Sequence, residues 1–146
     1  MIVRTAELGE LNNYTFVVIF CRHQDKWLYC RAKDRDVFET AGGNIDIGES
    51  PAKAAERELY EETGAIKYDI EAAFDYSVES SSGYTTGQVF LAHIHEISEH
   101  PPKEYEMAEV KLFDALPDEM RFPEITPILY KKLQGWINLH SARDEV

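Results

Sequence analysis

Residues 43–65 read GNIDIGESPAKAAERELYEETGA, and the glycines, spaced glutamates and single arginine of this run describe a loop, a helix and a cation site together. Ser50-Pro51 is a helix start, because a serine side chain accepts from an orphan backbone N–H and proline at the first helical position gives up no hydrogen bond. Gly64 is the stop, at a position that tolerates a left-handed turn. Between those ends, an advance of ~100° per residue gathers Glu58, Glu61 and Glu62 into one acidic stripe, with Ala54 and Ala55 in the same arc. Small residues beside clustered carboxylates let another backbone approach, so the stripe is expected to be partly enclosed. Carboxylates this close raise one another's pKa unless a cation neutralises them. Hard divalent ions take such oxygen ligands, and magnesium typically uses one or two carboxylates, several waters and phosphate oxygens. Arg57 lies four residues before Glu61, near enough to pair with it. Gly42-Gly43 is expected in a loop whose carbonyl reaches the same ion. Taken alone, the three glutamates read more readily as a solvated face of a surface helix, the usual fate of a charge run. The full spacing reverses that reading.

Gly43, five residues, Glu49, seven residues, Arg57-Glu58-Leu59, one residue, Glu61-Glu62, one residue, Gly64 and the small apolar Ala65 match the Nudix box at every defined position, and the chain resembles the Nudix hydrolase superfamily. The resemblance implies an α/β (α+β) fold, an α/β/α sandwich with a mixed β-sheet between helices. It implies a loop–helix–loop that binds Mg2+ or Mn2+, and hydrolysis of a diphosphate linkage in a nucleoside diphosphate attached to another group. Carried over by position, Glu58 and Glu62 become the principal metal ligands and the Gly42 carbonyl another. Glu61 becomes a ligand or the base that deprotonates water, with Arg57, Glu49 and Gly43 in support. A further family ligand ahead of a late strand is matched best by Glu109, with Glu104 and Glu106 in the same loop. Ala41 and Thr40 depart from the family pattern, which has proline and an aromatic residue there. The first change implies a less rigid loop, and the second removes a candidate base-stacking contact.

The chain has 146 residues, enough for one domain with a sizeable core, and the whole of 1–146 is read as a single domain with a polar tail from about 141. Fifteen basic against 27 acidic residues give a net charge of −12, which opposes non-specific binding to nucleic acid or anionic membranes. A polyanionic substrate then needs local charge reversal, which a divalent metal supplies. Cys21 and Cys30 lack zinc-site spacing and read as buried, reduced thiols of a cytoplasmic protein, and no apolar run is long enough to span a bilayer.

In chain order, Ile2 to Leu8 is expected as a strand, pairing within its own sheet or with a second subunit of a homodimer. Tyr14 to Cys21 and Lys26 to Ala32 read as a buried hairpin. Arg31 and Lys33, two residues apart at its end, share one face and suit substrate phosphate, or equally a solvated strand end. Strands are expected at Val37–Glu39, Asp69–Glu79, Gln88–Ile94 and Val110–Phe113, with a break at Ser80–Gly83. His93 and His95 share a face without a third partner and read as packing or surface residues. A polar loop from Pro101 to Glu106 has the character of a site cover. A helix is expected from about Pro127 to Leu139, with Ile128, Leu129, Leu133, Trp136 and Ile137 on its apolar face.

The expected activity is pyrophosphohydrolysis of a standard or oxidised nucleoside triphosphate, giving monophosphate and pyrophosphate. The alternatives are a nucleotide sugar, ADP-ribose, a dinucleotide polyphosphate, an RNA 5′ end, or a non-enzymatic nucleotide-binding regulator. The complete box weighs against the last of these.

Overall fold

The computed structural model of the chain describes residues 1–100 and 107–144. The Pro101–Glu106 loop, with Glu104 and Glu106, and residues 145–146 of the tail lie outside them.

β1 (Ile2–Ala6), β2 (Phe16–His23), β3 (Lys26–Ala32), β4 (Ala41–Asn44), β5 (Ala65–Ser80), β6 (Gly83–Ile97) and β7 (Met107–Phe113) form one sheet in the order β1-β5-β6-β2-β3-β7, with β4 added to β2. The β2–β6 pairing is parallel and the others antiparallel, so the sheet is mixed. β1 closes its own sheet by pairing with β5. Helix α1 (Pro51–Thr63) and helix α2 (Thr126–Asp144) complete the fold. The period-2 alternation of β2 sends Val17, Ile19 and Cys21 into the core under α1, and Val18 and Phe20 into the core under α2. This is the expected three-layer α/β/α arrangement.

β2 and β3 meet through a two-residue turn in which Gln24 and Asp25 both have positive φ, 52° and 63°, the backbone of a type I′ hairpin. The strands pair only over Cys21–His23 and Lys26–Leu28. Beyond that point Phe16–Ile19 pairs with β4, while Cys30 bridges to Glu39. Residues 39–44 therefore wedge between β2 and β3. The segment expected as a glycine loop is a strand, because it satisfies backbone groups that the diverging hairpin leaves unpaired.

Other expectations shift: β5 begins at Ala65 rather than Asp69, β7 at Met107 rather than Val110, and in place of a strand at Val37–Glu39 there are isolated bridges at Phe38 and Glu39. β6 begins at Gly83 rather than Gln88, its first residues pairing with Ser77–Ser80 of β5. The backbone of α2 runs on to Asp144, past the expected end at Leu139 and into the stretch read as a polar tail. Its buried face is carried by Leu129, Tyr130 and Leu133, and Ile128 is left 44% exposed. Trp136 packs against the core and stacks on His140.

Candidate active site

Helix α1 begins and ends as its sequence dictates. Ser50 Oγ accepts from the Lys53 N–H at 3.2 Å, Pro51 takes the first turn, and Gly64 closes the helix at φ 77° by donating to the Tyr60 carbonyl. Ala54, Ala55 and Leu59 are fully buried, which presses the helix against the sheet and brings the acidic stripe up to β4.

Arg57 organises the cluster. Its Nε and Nη2 donate to the two Glu49 carboxylate oxygens at 2.8 and 2.9 Å, a bidentate pair. Nη1 reaches Glu58 at 2.8 Å and Glu61 at 3.3 Å, and Nη2 also meets the Asn44 carbonyl at 3.1 Å. The expected Arg57–Glu61 pair exists, but Glu49 holds the guanidinium more tightly. Those bonds, with one from the Asp46 N–H, hold the Glu49 carboxyl at about 2, below the usual carboxylate range.

The other carboxylates are less compensated. Burial raises the Glu58 pKa, with Arg57 opposing. Burial pushes Glu62 up to about 8, against the Gly42 N–H donated to it at 2.7 Å and with the charges of Glu58, Glu39 and Glu61 adding to the rise. Glu61 has the most solvent, its side chain 50% exposed against 14% for Glu58. The glycines fit this packing closely. A Cβ at Gly43 would stand 2.5 Å from a Glu58 carboxylate oxygen, and one at Gly42 would stand 2.3 Å from the Val17 carbonyl oxygen.

Glu109 lies elsewhere in the pattern of contacts. It pairs in register with Arg31 across β7 and β3, at 3.3 Å from Arg31 Nε to Glu109 Oε1. Arg31 Nη1 donates to the Arg35 carbonyl at 3.1 Å. A register shift after Arg31 breaks the expected alternation, and Lys33 falls in the turn beyond β3, exposed. The structure thus brings Arg57, Glu49, Glu58, Glu61, Glu62, Gly42 and Gly43 together, and leaves Arg31 and Glu109 engaged with each other.

A cavity of about 510 Å3 borders the cluster at Gly42, Gly43 and Glu62, and neither Arg31 nor Lys33 lines it. Its cationic lining comes from Arg35 and Arg121, and its apolar lining includes Tyr76 and Val78 of β5 and Phe122 ahead of α2. Glu39 is buried in its wall and accepts from Arg121 Nη1 at 3.3 and 3.4 Å. Sequence reasoning singled out neither Arg121 nor Phe122. A larger hollow of about 770 Å3 between α2 and β1–β5 touches none of the box glutamates.

A family model, the NUDIX domain, matches residues 11–128. The chain belongs to the Nudix family. A Bacillus subtilis (strain 168) protein with the provisional name 8-oxo-dGTP diphosphatase YtkD is 30% identical over 132 residues, 83% of this chain and 82% of that one. The crystal structure of the Bacillus subtilis pyrophosphohydrolase BsRppH, in a point-mutant form, superposes with a TM-score of 0.73 at 24% identity, over 98% of this chain and 90% of that one. A Nudix hydrolase from Nitrosomonas europaea gives 0.67 at 18% identity, covering 84% and 90%. As a Nudix protein the chain is a hydrolase of pyrophosphate bonds.

Ahead of this Nudix box, Ala41, which stands where the family pattern has proline, is fully buried and paired with Ile19 in the β2–β4 ladder. Among the described residues, no three acidic, histidine or cysteine side chains converge on a closed cage. Arg57 spans Glu58 and Glu61 while Gly42 draws Glu62 aside. The donor set still suits a hard divalent ion: it is all oxygen, it contains one carboxylate whose charge is unfavourable without a cation, and magnesium needs only one or two protein carboxylates.

Proposed function

We propose that this Nudix chain, as one domain, is a magnesium- or manganese-dependent pyrophosphohydrolase of nucleoside triphosphates, standard or oxidised, giving a monophosphate and pyrophosphate. The observation that carries this is the cavity of about 510 Å3 that meets the acidic cluster at Glu62 and the paired glycines. Its volume lies within the range of small-molecule sites, roughly 300–1,000 Å3. The provisional name of the YtkD relative supports a purine triphosphate as the substrate class.

Glu58 and Glu62, with the Gly42 carbonyl, would hold the ion, which when bound acidifies water and offsets phosphate charge. Glu61, the most exposed of the three helix carboxylates and held by one 3.3 Å contact, takes the proton from the attacking water. Arg57 fixes the directions of Glu58 and Glu61, and Glu49 fixes Arg57.

The test is magnesium-dependent release of pyrophosphate, phosphate and monophosphate from a panel of nucleoside triphosphates, oxidised nucleotides, nucleotide sugars, ADP-ribose, dinucleotide polyphosphates and triphosphorylated RNA. Glu58→Gln should weaken magnesium binding, and Glu61→Gln should lower kcat by about 100-fold or more while binding is largely kept. Wild-type rates in both variants would refute these roles. Cleavage of a different panel member would replace the substrate and keep the chemistry.

A further inference from the structure

Arg121 and Phe122 lie 59 and 60 residues beyond Glu62 in sequence, yet they line the same cavity. The Arg121 guanidinium lies over the Phe122 ring, 4.5 Å from its centroid, and its Nη1 meets both oxygens of buried Glu39. Nε and Nη2 make no hydrogen bond among the described residues, so a planar cation is fixed in place with donors to spare. Phe122 is held at φ 60°, a left-handed conformation that a phenylalanine rarely adopts, and the residue remains 43% exposed. Its carbonyl accepts from the Ile125 and Thr126 N–H groups at the start of α2, which keeps the ring at the cavity rim.

Phosphate is a poor match for this arrangement. Glu39 already offsets the charge of Arg121, and the neighbouring wall of Tyr76, Val78 and Ile125 is largely apolar. A flat, weakly charged ring bearing a hydrogen-bond acceptor is a good match. We propose, resting on the nucleotide reading above, that Arg121 is the specificity-determining residue for the base: it donates to the 6-oxo oxygen on the edge of a purine that enters the cavity beside it. A 6-oxopurine presents an acceptor at that position, whereas adenine presents an amino donor, which would set donor against donor.

The experiment measures binding of GMP, IMP, AMP and 2-aminopurine riboside monophosphate to the magnesium-saturated full chain by calorimetry, with triphosphate turnover followed separately. IMP keeps the 6-oxo group and lacks the 2-amino group, and 2-aminopurine does the reverse. GMP and IMP should bind comparably, and AMP and the 2-aminopurine nucleotide about tenfold or more weaker, the size of one good base contact. In Arg121→Met the preference should collapse towards unity. Because that change strands a buried carboxylate, the Glu39→Gln/Arg121→Met double variant is measured beside it, with thermal melting of each. Equal binding of the four nucleotides to the wild-type protein would overturn the assignment. So would a variant that weakens all four equally, which is the result expected of a phosphate contact. Selective monophosphate binding without triphosphate turnover would support Arg121 while refuting the proposed reaction, so the two ideas fail separately.

Discussion

Gly42 and Gly43 are adjacent, yet different neighbours exclude a side chain from each. At Gly43 the obstacle is the end of Glu58, a side chain that can swing; at Gly42 it is the Val17 backbone, and φ there is 155°. Gly43→Ala should therefore fold with a small loss of melting temperature while displacing the Glu58 carboxylate from Arg57, lowering kcat/KM by about tenfold or more. Gly42→Ala should instead cost stability, at least ~2 kcal/mol from strain and crowding. Thermal melts and magnesium-dependent rates on both variants check the contrast, and equal loss of stability in the two would refute it. At this scale the sequence was legible wherever residues act within one turn of helix. Glu58, Glu61 and Glu62 share a stripe by helical geometry alone, and Arg57 pairs with its neighbours for the same reason. The Glu39–Arg121 pair spans 82 residues, and no local spacing announces a partner that far away.

Helix α1 and strand β4 mark the two extremes of what an element's own residues reveal. Ser50, Pro51 and Gly64 supply both ends of α1 chemically, so its limits could be read directly. Ser50→Ala should cost about 1 kcal/mol, measured by denaturant unfolding, because the Lys53 N–H loses its acceptor. Its effect on kcat/KM should be small beside that of Gly43→Ala, since Glu58, Glu61 and Glu62 lie about two turns or more further along and Glu49 keeps its own bonds to Arg57 and the Asp46 N–H. Ala41-Gly42-Gly43-Asn44 has almost no strand propensity, and it pairs because β2 and β3 part company and leave a ladder edge open. A strand imposed by its neighbours cannot be seen in its own residues. The same holds for the rotation of α2: the apolar stripe predicted the helix, but docking buried Leu129 and Leu133 and left Ile128 out.

Over the whole molecule, a net charge of −12 surrounds a carboxyl that burial holds up to about 8. In the unfolded chain Glu62 would titrate near the ordinary glutamate value of about 4.3. Between those two values the metal-free folded state carries a proton that the unfolded state has lost, so unfolding releases it and stability falls as pH rises. This contribution is complete below about pH 4 and lost as pH passes through about 8, at a slope approaching 1.4 kcal/mol per pH unit in between. General charge repulsion acts in the same direction as pH rises, so the wild-type curve alone does not isolate Glu62. Glu62→Gln does, because it removes the titrating group and keeps the hydrogen bond from Gly42. Denaturant unfolding of metal-free protein from pH 5 to 8 should therefore be flatter for Glu62→Gln than for wild type. A divalent ion drawn to the same carboxylate must displace that proton. Magnesium affinity should then rise by up to about tenfold per pH unit between pH 6 and 8, with close to one proton released per ion bound at pH 7, measured by calorimetry in buffers of different ionisation enthalpy. A pH-independent affinity, or the same pH slope in wild type and Glu62→Gln, would mean that the buried carboxyl takes no part in holding the ion.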